Sequence, residues 1–370
     1  MVASFDLFKN PEDYNGDGKA DIFTRNYSTG ENVVLLMNGT TIIDSAFLPG
    51  LDLNWDFTGF GDYNSDRKTD IIWHNDITGE NALWLVNGTT LAGAATLPGL
   101  SNAWITDSLG DYNGDGKTDI IWRNNITDET VMWLINGTTV TDAAALPRLS
   151  SAWGSSTLGN DYNGDGKTDI LWRNYSTGEN AVWLMNGTTV ASAAALPGLN
   201  FGWYNASRGY EDYDGDGKTD ILWRNFITGE NAMWLMNGTT LASAAALPGL
   251  DSSWYTQDTG DYNGDGKIDI LWHNYITGEN AMWLMNGTTV AEASALSPLS
   301  NAWSQLSISA DYNGDGKTDL LWRNNDTREI VMWLMNGTTI AEAASILNIS
   351  GVAESIGFNT NIGPFNNSAQ

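Results

Sequence analysis

An acidic nine-residue pattern returns seven times along this chain: Asp, any residue, Asn or Asp, any residue, Asp, a turn residue, two more, Asp. The copies start at Asp13, Asp62, Asp111, Asp161, Asp212, Asp261 and Asp311, with successive starts 49, 49, 50, 51, 49 and 50 residues apart. A period near fifty marks one supersecondary unit that cannot bury its apolar face alone and must stack on its neighbours. Over 370 residues the unbroken period argues for one closed array. The expected units are 1–50, 51–99, 100–149, 150–199, 200–250, 251–299 and 300–347, with 348–370 as a closing strand or tail.

The third unit shows what repeats. A short segment at Ala103-Trp104-Ile105 leads to the loop at Asp111, and Asp119 to Asn124 follows as a β-branched and aromatic run. The turn Ile126-Thr127-Asp128-Glu129 then precedes Val131 to Ile135, and Asn136-Gly137 is a hairpin signal before Thr138-Thr139-Val140. The alanines near Ala143 are too few for a helix. The pattern predicts a four-stranded antiparallel meander, and seven of these arranged radially give an all-β, seven-bladed β-propeller. A linear β-solenoid fits less well, since its repeats are typically shorter.

Tryptophan falls at three fixed places per unit: before the loop (Trp55, Trp104, Trp153, Trp203, Trp254, Trp303), in the next strand (Trp73, Trp122, Trp172, Trp223, Trp272, Trp322) and in the strand after that (Trp84, Trp133, Trp183, Trp234, Trp283, Trp333). A four-residue turn at 126–129 would set Trp122 opposite Trp133. These rings are expected in the core between blades. A sharper alternative places one ring per blade in a sugar-stacking groove, formed by Trp122, Arg123, Trp172, Arg173, Trp223 and Arg224. Unit one carries Phe5, Phe23 and Leu35 instead. Either Val2 to Phe8 or Gly351 to Phe358 is expected to complete the ring, and 359–370 reads as a frayed end.

Alternate oxygen side chains in a tight loop point to a hard cation wanting six or more ligands, so about seven Ca²⁺ ions are expected, one per blade. Zinc would prefer nitrogen or sulfur, and magnesium demands stricter geometry. The expected ligands, with each lysine acting through its backbone carbonyl, are Asp13, Asn15, Asp17, Lys19 and Asp21 in unit one and Asp62, Asn64, Asp66, Lys68 and Asp70 in unit two. Unit three offers Asp111, Asn113, Asp115, Lys117 and Asp119, and unit four Asp161, Asn163, Asp165, Lys167 and Asp169. Unit five offers Asp212, Asp214, Asp216, Lys218 and Asp220. Units six and seven supply Asp261, Asn263, Asp265, Lys267, Asp269, and Asp311, Asn313, Asp315, Lys317, Asp319. An EF-hand is excluded because its twelfth position, a bidentate Glu between helices, is here Trp122 or its equivalent within a strand. Unit two has Ser65 and Arg67 where the others have Gly, which should weaken its site; Asp214 should strengthen the fifth.

The run Asp-Tyr-Asn-Gly-Asp-Gly-Lys-Thr-Asp-Ile, followed by a hydrophobic strand, resembles the FG-GAP/VCBS repeats of integrin-α-like propellers and secreted bacterial proteins, over residues 4 to 347. The resemblance implies that the loop joins two strands of a blade and that calcium rigidifies it. Just before the loop, Phe-Gly itself survives only as Phe60-Gly61, with Leu109-Gly110 and Thr259-Gly260 standing in elsewhere, which is more like the bacterial branch.

A formal charge of −28 disfavours nucleic acid and anionic membranes as partners. Seven bound divalent ions would roughly halve it. With no cysteine, disulfides and thiolate chemistry are excluded. No apolar run approaches the ~18 residues a membrane span needs. Met1 to Asn10 shows no signal-peptide pattern, so the setting expected from calcium, extracellular or cell-surface on a bacterium, requires a signal segment not present in this chain. His74 and His273 replace the Arg of the Trp-Arg-Asn triplets (Arg25, Arg123, Arg173, Arg224, Arg323), and the Glu after each turn (Glu31, Glu80, Glu129, Glu179, Glu230, Glu279, Glu329) is its expected partner. Asn-Gly-Thr at Asn38, Asn87, Asn136, Asn186, Asn237, Asn286 and Asn336 reads as turns rather than glycosylation acceptors. No catalytic constellation is evident, so a non-enzymatic, monomeric module recognising protein or carbohydrate is expected. The alternatives are a multivalent lectin with inter-blade sugar sites, and a purely structural spacer or engineered consensus propeller.

Overall fold

The computed structural model describes residues 12–347, apart from 157–158, 208, 301, 306–309 and 328. Among these residues there is no helix. Seven antiparallel sheets follow the chain in order, each a meander. The third blade consists of Trp104–Gly110, Asp119–Asn124, Thr130–Asn136 and Thr139–Ala145. Six sheets have four strands; in the first blade the three described strands are Ile22–Arg25, Asn32–Asn38 and Thr41–Leu48. Both segments expected to supply its remaining strand, Val2 to Phe8 and Gly351 to Phe358, lie outside the described residues.

The ring nevertheless closes through other contacts. Ala20 N–H donates to the Asp311 carbonyl at 2.8 Å and Gly39 N–H to the Tyr312 carbonyl at 2.7 Å. On the outer strands Thr40 Oγ1 donates to Glu342 Oε1 at 2.9 Å. Blades one and seven also share one apolar cluster, with Ile22, Val33 and Met37 against Tyr312, Leu321 and Met332.

The core is a series of such clusters, each built by two neighbouring blades. Tyr112, Ile121 and Met132 of the third blade pack on Ile170, Trp172, Trp183 and Met185 of the fourth. The second strand of each blade is buried on both faces, so its sequence runs apolar without alternation, as in Asp70–Asn75 and Asp119–Asn124. The fourth strand alternates between exposed and half-buried and forms the outer wall. First strands and the segments leading from them to the loops touch across blades: Ser155 Oγ donates to Asp107 Oδ2 at 2.7 Å and Thr259 Oγ1 to Glu211 Oε1 at 2.6 Å.

Two turns differ from their sequence reading. Asn124 Oδ1 accepts from the N–H groups of Ile126 and Thr127, both at 2.9 Å, which pulls the turn one residue earlier, to 125–128. Trp122 therefore pairs with Val131, and Trp133 with Ile120. The two rings meet on the diagonal, with centroids 5.4 Å apart. At the second hairpin Asn136 pairs with Thr139, so the two-residue loop is Gly137-Thr138, with Gly137 at φ 61 as its first residue.

Candidate metal centres

In blades two to seven each acidic loop joins the first two strands, and in all seven the loop is folded by its own side chains. In the third unit Asp111 Oδ1 accepts from Gly114 and Asp115 N–H at 2.7 and 3.1 Å, and Oδ2 accepts from Gly116 N–H at 2.7 Å. Asn113 Oδ1 takes the Asp115 N–H at 2.8 Å, and Asp115 Oδ1 takes that of Lys117 at 3.0 Å. Gly114 and Gly116 sit at φ 77 and 79; in unit two Ser65 and Arg67 are both forced to φ 63, where a β-carbon is strained. In every loop the lysine Nζ lies 2.6 to 4.0 Å from the fifth-position aspartate.

The ninth position has a role that sequence reasoning missed. Asp119 is fully buried, with Oδ2 accepting from Tyr112 N–H at 3.1 Å and Oδ1 from Ile135 N–H at 2.9 Å. This carboxylate bolts the loop to the third strand. The same two bonds recur on Asp21, Asp70, Asp169, Asp220, Asp269 and Asp319. The signal was available as a fixed separation of 16 residues between this Asp and the residue before Asn-Gly. Burial pushes these carboxyls up, to about 7 for Asp21, Asp169, Asp269 and Asp319 and to about 8 for Asp70, Asp119 and Asp220. The first-position carboxyls Asp13, Asp62, Asp111, Asp161, Asp212 and Asp261 are raised too, again mainly by burial.

The donor set fits a hard divalent ion. In unit five a carboxylate oxygen from each of Asp212, Asp214 and Asp216 lies within 4.8 Å of the other two, grading from buried to exposed. The other units place Asn15, Asn64, Asn113, Asn163, Asn263 and Asn313 at the third position, so they hold one carboxylate fewer. No nitrogen or sulfur ligand belongs to the motif, which favours calcium over zinc.

Each loop is also a joint between blades. Its first-position carbonyl accepts from the eighth-position N–H of the next loop: Thr69 to Asp13, Thr118 to Asp62, Thr168 to Asp111, Thr219 to Asp161, Ile268 to Asp212, Thr318 to Asp261 and Ala20 to Asp311. Its tyrosine carbonyl accepts from the Asn-Gly turn of that same blade, as Gly137 does to Tyr63 and Gly187 to Tyr112. Gly110, just before a loop, makes room for the neighbour, since a β-carbon there would lie 2.4 Å from Thr168 Oγ1.

The groove expected on Trp122, Trp172 and Trp223 does not form. These rings are 0 to 1% exposed, and no face is open to stack on sugar. Arg123, Arg173 and Arg224 are buried as well, each placed over the indole of the following blade at 5.1 to 5.9 Å. The expected Arg–Glu pairing is also replaced. Arg173 donates to Gly178 O, Asn180 Oδ1, Leu199 O and Asn200 O, stitching its hairpin to the connector that leads into the next blade. The planar guanidinium reaches carbonyls in two directions, whereas the glutamates accept from nearby threonines, as Glu179 does from Thr177 at 2.8 Å. His74 and His273 keep only the bond to the asparagine, Asn81 or Asn280, at 2.7 Å.

Among solved structures the chain is similar to a post-proline cleaving enzyme from Rickettsia typhi, with TM-score 0.52 and 10% identity, covering 90% of this chain and 54% of that one. It is also similar to the Photorhabdus luminescens Tc holotoxin pore (TM-score 0.49, 14% identity, 88% and 16% covered) and to Kluyveromyces lactis Hsv2 (TM-score 0.46, 8% identity, 89% and 100% covered). At such identities the first likeness speaks to fold alone. No curated protein matches the sequence. The family described as FG-GAP-like repeat matches residues 13–73, 62–122, 161–223, 212–272 and 261–322, each match running from one acidic loop through the next to its following tryptophan. With more than half of its length matched, and a closed ring of seven loop-bearing blades, the chain belongs to the FG-GAP-like repeat family.

Proposed function

We propose that this propeller is a calcium-stabilised binding and scaffold module that works outside the cell and carries no catalytic machinery of its own. The observation that carries the reading is the position of the seven acidic loops: each is the joint through which a blade holds its neighbour. An ion held by the first, third and fifth side chains, with carbonyl help from the lysine position, would fix a loop whose own carbonyls grip the next blade. Bound calcium would supply charge neutralisation and rigidity. The loop backbone supplies the shape, and the ninth-position Asp anchors it to the sheet.

A binding role fits the rest of the molecule. The two histidines are buried and engaged with asparagine, and the Trp-Arg-Asn triplets are consumed in holding blades together. Among the described residues no helix is long and apolar enough to cross a membrane. The test is a thermal melt with calcium and with chelator, alongside metal analysis of calcium-equilibrated protein. About seven ions per chain and a midpoint lowered by chelator are expected; an unchanged midpoint with no bound metal overturns the reading.

A further inference from the structure

The face opposite the acidic loops carries the turns between second and third strands and the connectors between blades, and its sixth blade breaks the repeat in two places at once. In four blades a buried asparagine donates through Nδ2 to the proline carbonyl of the connector: Asn32 to Pro49, Asn81 to Pro98, Asn180 to Pro197 and Asn231 to Pro248, at 2.8 to 3.2 Å. In the sixth blade Leu-Pro-Gly-Leu is replaced by Leu296-Ser297-Pro298-Leu299, so the proline is shifted by one residue. Asn280 is fully buried, its Oδ1 is held by His273, and its Nδ2 has no partner. Two further ties are lost there. In blades one, two, four and five the connector leucine donates to the turn glycine, as Leu199 does to Gly178, but among the described residues Leu299 makes no such bond to Gly278. His273 also cannot reach the connector as Arg173 does.

The result is a cavity of about 380 Å³ lined by Trp254, Glu279, Asn280, Ala281, Leu296 and Pro298. Its wall is aliphatic and aromatic, its buried end offers an unused amide donor, and an exposed carboxylate stands at its rim. An unmatched buried donor is costly unless a ligand oxygen or water meets it. In the turns after the second strands of the fifth and sixth blades Phe226, Ile227, Tyr275 and Ile276 are 44 to 65% exposed, although they are large apolar side chains. Every described lysine lies on the opposite face, in the acidic loops, whereas a glutamate follows the turn in each blade of this one.

We propose that this cavity is a binding site for a cationic, apolar peptide segment of a partner protein. An aliphatic side chain would fill the space between Trp254 and Pro298, its backbone carbonyl would accept from Asn280 Nδ2, and a neighbouring arginine or lysine would pair with Glu279. The acidic, apolar surround favours this occupant over a neutral sugar, which needs several polar partners where the wall offers two. The site deepens the binding-module reading and names its partner class.

The probe is a fluorescein-labelled random hexapeptide library fixed for one leucine and one arginine, measured by fluorescence anisotropy beside an otherwise identical library with aspartate for arginine. The variant Ser297→Pro/Pro298→Gly restores the connector found in the fifth blade and closes the cavity without disturbing the fold. Glu279→Gln removes only the exposed rim charge. Binding of the arginine library to the parent, at least tenfold weaker binding to the restored connector, and weakening by Glu279→Gln are expected. Equal binding by parent and restored connector, preference for the aspartate library, or binding of a neutral oligosaccharide panel in place of the peptides overturns the proposal. Calcium-dependent melting, recorded on the same three proteins, separates failure of this site from failure of the calcium scaffold.

Discussion

Replacing Asp119 by alanine separates the scaffold role of the loop from its metal role. The carboxylate is fully buried and accepts two backbone N–H bonds, from Tyr112 at 3.1 Å and Ile135 at 2.9 Å. Asp119→Ala leaves both donors buried and unpaired, at about 1–3 kcal/mol each, so a loss of about 2–6 kcal/mol is expected even with chelator present. At roughly 2 °C per kcal/mol for a large domain, the melting midpoint should fall by roughly 4–12 °C. Asp119→Asn should fall between parent and alanine, because its amide can accept one bond but turns a donor toward the other N–H. Asp115→Ala is the contrast. Its side chain is exposed and accepts from Lys117 N–H, a donor that water can serve instead, so under about 1 kcal/mol is lost in chelator. In calcium the order changes, since Asp115→Ala should then forfeit one loop's share of the calcium-dependent rise. The assay is a differential-scanning melt of the four proteins in both conditions. An Asp119→Ala midpoint within a degree or two of the parent in chelator, or an equal fall for Asp115→Ala there, would refute the assignment of the ninth position as the loop's anchor.

Three other outcomes follow from the same geometry. In chelator, stability should fall as pH rises from 5 to 8: burial raises the ninth-position carboxyls from 3.8 to about 7 or 8, so the fold keeps protons that the unfolded chain releases. That stability is complete below about pH 4 and lost through pH 7–8, and calcium should flatten the profile; a flat chelator profile contradicts it. Ser65→Gly/Arg67→Gly should raise stability by about 1 kcal/mol by relieving two left-handed residues, and should tighten calcium at the second loop, both readable by melting and calorimetric titration. Arg173→Lys should destabilise by about 2 kcal/mol in urea unfolding, because a point-charge ammonium cannot span Asn180, Leu199 and Asn200 together; parent-like stability would show that the stitch is dispensable.

Most of the architecture was legible because the repeat made it so. The seven starts fixed the blade count, the Asn-Gly and Asp-rich turns fixed the strand boundaries to within a residue or two, and the buried second strand announced itself as an unbroken apolar run. The turn at Asn124 was misplaced by one residue because side-chain capping by Asn Oδ1 is not a hydrophobic signal. The Trp-Arg-Asn triplets were harder, since aromatic, cation and amide together describe both a sugar groove and an inter-blade seam. What decides between them is the connector, whose carbonyls at Leu199 and Asn200 lie 26 and 27 residues along the chain from Arg173. Tertiary contacts of that span leave no local period. The ninth-position Asp was read as a ligand from its type and place, and its anchoring role was not legible because its two backbone donors lie 7 residues back and 16 forward.

In a ring whose joints are copied seven times, the copied residues are committed to closure. The loop carbonyls grip the next loop and the next Asn-Gly turn, the Arg spans the connector, and the tyrosine and tryptophan fill the seam. A residue spent on symmetry cannot also discriminate a partner, because any surface it formed would be presented seven times. Selectivity for one partner must therefore sit where the copies diverge. Other blades depart too: Thr130 takes the place of Asn in blade three, and Gly59 replaces the serine that bonds Tyr112, leaving Tyr63 Oη buried without a partner. The sixth blade is different because His273 and Ser297 act on the same asparagine, removing a connector tie on one side and an acceptor on the other. Blade two has His74 and still satisfies Asn81 through Pro98. In blade six both changes coincide, and there the asparagine keeps an unpartnered Nδ2 beside a cavity.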